Sequence, residues 1–169
     1  MSLNGENKMA IQVYDNITKP IIEALAAKIN AICQGLKVKV DRQMTAGEEG
    51  VVVYINNISE EEVNKSEARR LYERTYAFGV TLYNQNSSDK TYVDSDFFDT
   101  IFGQLDSIIF EFQGVKHELF IQSKQGSSET YPCLIILRPH PLLVGKKSLM
   151  SEYDDGLAEM IFIEEILDN

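Results

Sequence analysis

Apolar and polar residues alternate along residues 69–83, which read RRLYERTYAFGVTLY. From Tyr76 onward the even positions carry large apolar side chains, whereas the odd positions are small or polar. A period of two predicts a β-strand with one face on a core. Such a strand would reach about 50 Å, whereas a compact domain of this length is about 40 Å across. We therefore expect the strand to overhang, to bend at Gly79, or to pair with something outside the domain.

Two other segments show helical spacing of their apolar residues. In residues 18–34, Ile21, Leu25 and Ile29 recur on one face, with Gly35 as the stop signal. In residues 95–112 the apolar stripe is nearly unbroken, and it consists of Phe98, Ile101, Phe102, Leu105, Ile108, Ile109 and Phe112. Both segments are predicted to be amphipathic helices.

Shorter alternating or β-branched runs predict the remaining strands. They cover residues 36–42, 51–55, 118–124, 132–138 and 157–167. The first two are separated by a turn-like segment and are expected to form a hairpin. The polar residues 56–68 are expected to be a loop or a short exposed helical turn, and residues 84–92 a loop. Residues 139–156 are expected to be a long irregular connection, and 1–9 a flexible lead-in.

This order of elements has no regular strand-helix-strand repeat, and it therefore predicts a fold of the α+β class. We expect a single domain over residues 1–169, with a mainly antiparallel β-sheet and the two amphipathic helices packed on one of its faces. The expected core consists of Ile21, Leu25, Ile29, Phe78, Val80, Phe98, Phe102, Leu105 and Ile109.

The net charge, the cysteines and the lengths of the apolar runs limit the kinds of partner and the cellular location that we expect. The chain has 169 residues and a formal net charge of −10, which disfavours nonspecific binding to nucleic acid or to anionic membranes. The two cysteines, Cys33 and Cys133, lie in apolar contexts and are expected to be buried thiols in a reducing compartment. No apolar run is long enough to span a bilayer, and the amino terminus lacks the apolar core of a signal peptide.

Motifs that would indicate an enzyme are missing from the sequence. It contains no phosphate-binding glycine motif, no HExxH and no GxSxG. The two histidines, His117 and His140, have no metal-ligand spacing to each other or to the aspartates. We therefore expect no catalytic residues, no metal and no cofactor.

Charged and aromatic residues cluster at the start of the long strand and in the segment before it. The candidate subunit interface consists of Arg69, Arg70, Tyr72, Arg74, Glu60, Glu61 and Glu62. Arginine and tyrosine are enriched at protein interfaces, and an acidic segment could pair with the arginines of a neighbouring subunit. The alternative is that these are solvated charges at a strand end.

The string Leu71-Tyr72-Glu73-Arg74-Thr75-Tyr76-Ala77-Phe78-Gly79-Val80-Thr81-Leu82-Tyr83 resembles the arginine-headed aromatic strand of tail terminator (tail completion) proteins from phages and prophages of Gram-positive bacteria. The order of predicted elements over residues 10–138 is also similar to that family, whereas the segment after Arg138 is longer and more apolar and acidic.

The resemblance implies a non-enzymatic structural subunit. Such subunits form a ring, typically a hexamer, that caps the tail tube, stops its growth and joins tail to head. The implied partners are further copies of the chain, the tail tube protein and a head completion or connector protein. DNA would pass through the ring without specific binding, and no membrane is involved. The implied location is the cytoplasm of the bacterial host during assembly, and then the virion tail.

Two other classes of protein fit the same residues. The first is a binding adaptor, either another head-tail connector or a domain that recognises a peptide by strand addition. The second is a small metal-dependent hydrolase, which would need ligands from the histidines and aspartates.

Overall fold

The computed structural model describes residues 17–41, 44, 47–65, 69–83, 90–127 and 133–147. Within them lie two helices and seven strands: α1 (Thr18–Ile32), β1 (Lys37–Val40), β2 (Gly50–Lys65), β3 (Arg69–Tyr83), α2 (Lys90–Gln104), β4 (Ser107–Phe112), β5 (Val115–Ser127), β6 (Cys133–Pro139) and β7 (Leu142–Lys147). The predicted lead-in at residues 1–9 and the predicted terminal strand at 157–167 lie outside the described residues.

These strands form a curled, mostly antiparallel sheet in the order β1-β2-β3-β6-β5-β4, with β7 also paired to β3. The α+β fold predicted from the sequence is therefore confirmed. Apolar residues from both helices and from the strands join in one core. Ile21, Leu25, Ile29, Phe78, Val80 and Leu105 are buried there as predicted, and Phe98 packs against the cluster.

Strand β3 has the predicted bounds and lies at the centre of the sheet. One of its edges pairs with β2 over nearly its whole length. Its other edge pairs with β6 along residues 78–82 and with β7 along residues 69–74. The part of β3 that overhangs the core is therefore covered along that edge by β7, within the same chain.

We refer to the overhanging part of the sheet as the arm. It consists of residues 56–65 of β2, residues 69–75 of β3, and β7. Residues 56–63 are all exposed, and at about 3.3 Å per residue the β2 part of the arm extends about 30 Å. The predictions of a loop at 56–68 and of an irregular connection throughout 139–156 are wrong at residues 56–65 and 142–147, which are strands. Because 56–63 is exposed on both faces, it shows no apolar alternation, and the sequence pattern does not reveal it.

The predicted helix over residues 95–112 is wrong at both ends: it begins at Lys90, within the predicted loop 84–92, and it ends at Gln104, and residues 107–112 form β4. Ile108, Phe110 and Phe112 are buried, and they alternate with exposed residues as in a strand. The spacing of Ile108 and Phe112 also fits the helical stripe, which explains the error. A two-residue turn at Gln113 and Gly114 joins β4 to β5, and both residues have positive φ, 53° and 81°, as the favoured hairpin turns require.

Two residues of the predicted core are on the surface instead. Ile109 is 60% exposed because the strand turns it away from the core, and Phe102 is 41% exposed on α2. The side chain of Phe98, which is on the same helix, lies against Gly126 of β5, where a Cβ atom would come within 2.4 Å of the ring. Phe98 therefore anchors α2 on the sheet, and Phe102 contributes little.

The predicted hairpin of residues 36–42 and 51–55 is instead a parallel pair, with Lys37 opposite Gly50 and Val40 opposite Val53. The chain that leaves β1 at Val40 must therefore return to the level of Lys37 before β2 begins at Gly50. Gly50 permits this close approach, because it has φ 155° and a Cβ atom there would lie 2.3 Å from the Lys37 carbonyl oxygen. Glu48 closes the connection through ion pairs with Lys37 and Lys39, at 2.6 and 2.9 Å.

Candidate subunit interface

The predicted interface residues all lie on the arm, on two neighbouring strands. The antiparallel register sets Glu60 opposite Arg74, Glu61 opposite Glu73, and Glu62 opposite Tyr72. Arg69 and Arg70 begin β3 at the far end of the arm. The acidic segment and the arginines therefore belong to one hairpin, whereas the sequence suggested a separate loop.

Arg74 has its ionic partner within the chain. Its Nη2 and Nε lie 3.0 and 3.1 Å from Oε1 of Glu60, and its Nη1 donates to the Tyr76 hydroxyl at 3.4 Å. Burial alone would lower the pKa of Arg74, but Tyr76 and Glu60 outweigh that effect and raise the pKa. Only 10% of the Arg74 side chain is exposed. Arg74 therefore holds the base of the arm together, and its predicted pairing with the acidic residues of another subunit is not needed to explain its charge.

Two further polar contacts link the same region. The Tyr72 hydroxyl donates to Oε2 of Glu62 at 3.2 Å. The Tyr76 hydroxyl shares a hydrogen bond of 2.8 Å with Oγ1 of Thr18 at the start of α1. Tyr76 thus connects the base of the arm to the helical layer.

Glu61 and Glu73 are placed differently from their neighbours. They are directly opposite each other across the β2-β3 pair, and neither forms an ion pair among the described residues. Like charges directly opposite on neighbouring strands are destabilising. This acidic pair is a site where a cation from another molecule would be favourable. Glu73 is absent from the predicted set because its partner is known only from the register.

Basic residues gather at the far end of the arm. The register sets Lys65, Arg70 and Lys146 side by side on three strands, and Arg69 beside Lys147 in the next row. We call these five residues the basic tip. Sequence reasoning found only the two arginines, because the three lysines are at the ends of other strands.

One edge of the arm is open among the described strands. β1 pairs with β2 only along residues 50–53, and beyond Val53 no other described strand pairs with that edge. An open strand edge presents N–H and C=O groups that another chain can use. Glu60, Glu61 and Glu62 are on this strand, and charges of this kind limit indiscriminate pairing.

The groups considered for catalysis are mostly buried. Both cysteines are buried and not joined in a disulfide. Burial, with a smaller contribution from Asp96, raises the pKa of the Cys33 thiol to about 11, so it is protonated at neutral pH. Among the described residues no group of three or more His, Cys, Asp or Glu side chains could hold a metal ion. The expected lack of catalytic and metal sites stays a prediction.

His117 is buried on β5, with its ring centroid 5.4 Å from that of Phe110, and neither ring nitrogen has a hydrogen-bond partner among the residues that the structure describes. A buried polar group without a partner costs roughly 1–3 kcal/mol. We expect His117→Leu to raise the free energy of unfolding by about 1 kcal/mol, as measured by urea denaturation. His117→Gln, which keeps polar atoms at the position, is the control. A loss of stability in the leucine variant would show that the imidazole has a favourable polar role.

Comparisons with known proteins add little to this geometry. No family model matches the chain, and no curated protein matches it. Matches among solved structures include one chain with 10% sequence identity, which covers 80% of this chain and 95% of its own length at a TM-score of 0.33. Such a low TM-score carries no argument about fold or function. In the part of the chain that the structure describes, no helix is long and apolar enough to cross a membrane.

Proposed function

We propose that this protein is a non-enzymatic structural subunit of a phage tail, which forms a ring that caps the tail tube, ends its polymerisation and joins the tail to the head. The observation that carries the proposal is the arm. It is an extension of the sheet, with an exposed strand along one edge, and it is longer than the core requires. A subunit that must contact two neighbours in a closed ring needs surfaces of this kind outside its own core.

The charge of the chain supports the same function. A ring that lets DNA pass should not bind it tightly, and a net charge of −10 repels phosphate. The resemblance of the β3 sequence to tail terminator proteins is the reason for choosing this particular assembly. On this proposal the protein acts in the host cytoplasm and remains in the virion tail.

A peptide-binding adaptor is the second candidate, and the open edge of β2 favours it. An extended peptide could add to that edge by main-chain hydrogen bonds, with the protein remaining a monomer. The two functions therefore differ in what covers the edge of β2: another copy of the chain in a ring, or a foreign peptide.

The deciding experiment uses a tail tube protein from the same phage or prophage genome, which the proposed function requires to exist. Tubes are polymerised with and without the purified protein, and their length and ends are measured by electron microscopy. We expect shorter tubes with a ring on one end when the protein is added, and no change with bovine serum albumin as the control. Tubes that grow to the same length without end rings would contradict the proposal. A monomer that protects β2 amides from hydrogen exchange only when a peptide is added would favour the adaptor.

A further inference from the structure

We propose that the basic tip of one copy binds the acidic pair of a second copy, Glu61 and Glu73. This inference deepens the proposed function and rests on it, because it supplies the contact between neighbouring subunits of the ring. The proposed contact does not use Arg74, Glu60 or Glu62, which belong to the interface predicted from the sequence, because these three residues form contacts within their own chain.

The basic tip concentrates charge of one sign in an acidic protein. Five of the 16 Lys and Arg residues occupy two adjacent rows of the arm, so the rest of the chain is more acidic than its net charge of −10. Like charges directly opposite one another on neighbouring strands are destabilising. A bound anionic surface relieves this repulsion.

The acidic pair is the complement on the same arm. Glu61 is exposed, Glu73 is half-buried, and no cation pairs with either among the described residues. Arg69 is four residues from Glu73 on β3, which separates their Cα atoms by about 13 Å. The tip of a second copy can approach the acidic pair more closely than this.

A second copy fits the tip better than nucleic acid does. DNA approaching the tip would meet the acidic remainder of the chain, whereas a second copy offers carboxylates in a fixed row. The contact joins two different surfaces, the tip and the acidic pair, so it is heterologous. Repeated contacts of this type close into a ring when the rotation permits.

The test reverses the charge of one row of the tip, Arg69 with Lys147, and of the acidic pair, so that each row still holds two like charges. The tip variant is Arg69→Glu with Lys147→Glu, and the acceptor variant is Glu61→Lys with Glu73→Lys. The control variant is Lys28→Glu with Lys116→Glu, which makes the same change in net charge as the tip variant, at exposed positions away from the arm. Circular dichroism and thermal unfolding first establish that each variant is folded.

Self-association is then measured by sedimentation velocity at low and high salt. We expect the wild type and the control to associate, and each arm variant to associate at least about tenfold more weakly at low salt, because like charges face each other across the contact. An equimolar mixture of the tip and acceptor variants should regain association, since the reversed row of the tip variant meets the reversed pair of the acceptor variant. High salt should reduce all of these differences.

Several results would overturn the inference. These are a wild type that stays monomeric at low salt, an unaltered tip variant, a control that loses as much association as the arm variants, or no recovery in the mixture. Binding of a duplex DNA fragment by the wild type but not by the tip variant, without self-association, would assign the tip to nucleic acid. Association that follows the predicted pattern while tubes remain uncapped would reject the proposed function and leave the contact standing.

Discussion

Replacing Phe78 by alanine should lower the free energy of unfolding by roughly 3–5 kcal/mol, because the change removes a large buried ring and leaves a cavity. Phe78 has no exposed surface, and its ring stacks on that of Tyr76 at 5.3 Å. Its strand is held on both edges, by Ile55 of β2 and Leu137 of β6, so the backbone cannot easily collapse into the cavity. The measurement is urea denaturation followed by circular dichroism.

Phe102→Ala is the matched control for this experiment. The side chain has the same size, but it is 41% exposed on α2, and its removal should cost only about 1 kcal/mol. The sequence pattern alone would rank Phe102 among the core residues. Equal losses in the two variants would mean that α2 packs more deeply than the structure shows.

Arg74→Glu should also lower the free energy of unfolding by roughly 3–5 kcal/mol, because it leaves two carboxylates facing each other in a largely buried position. Glu60 would lose its cation, and the Tyr76 hydroxyl would lose the donor that lies 3.4 Å away. The damage should appear in the monomer, at any protein concentration. Thermal unfolding in dilute solution measures it.

Two companion variants separate charge from volume. Arg74→Met replaces the charged side chain by an unbranched apolar one. Because the Glu60 side chain is still 24% exposed to water, the free energy of unfolding should fall by less, about 1–2 kcal/mol. Adding Glu60→Arg to Arg74→Glu reverses the ion pair and should recover part of the stability. If Arg74→Glu leaves unfolding unchanged and alters only assembly, then the arginine serves a contact between subunits after all.

The different positions of Arg70 and Arg74 affect how assembly of the ring should be tested. Reversing Arg70 and Arg74 together is the obvious experiment from the sequence, because both appear in one charged cluster. The structure separates them: Arg74 is built into the base of the arm, and Arg70 belongs to the basic tip. A variant that changes both would mix a loss of folding with a loss of association.

The sequence predicted β3 accurately because its alternation coincides with a buried face and an opposite face of small residues. Prediction from the sequence failed where the apolar residues fit both a helix and a strand, and where they show no periodicity. Ile108 and Phe112 fit both a helix and a strand, and only the turn at Gln113 and Gly114 decides between them. The arm portion of β2 has no apolar face, so exposure on both sides makes a strand look like a loop.

The candidate interface was predictable only in part for a related reason. Arg69 and Arg70 are adjacent in the chain, so their cluster is visible in the sequence. Lys65 and Lys146 join them only through the register of three strands. The same register gives Glu61 its like-charged neighbour Glu73, and hydrophobic periodicity contains no information about such pairs.

The central position of β3 also sets the order in which the chain can fold. Its pairing with β2 closes a short loop, so this hairpin can form early and at a small entropic cost. Its other edge must wait for β6 and β7, which lie far along the chain beyond α2, β4 and β5. Contacts between residues so distant in sequence slow folding. A chain in which only the β2-β3 pair has formed would leave the other edge of β3 unpaired, and we expect aggregation to begin from such chains.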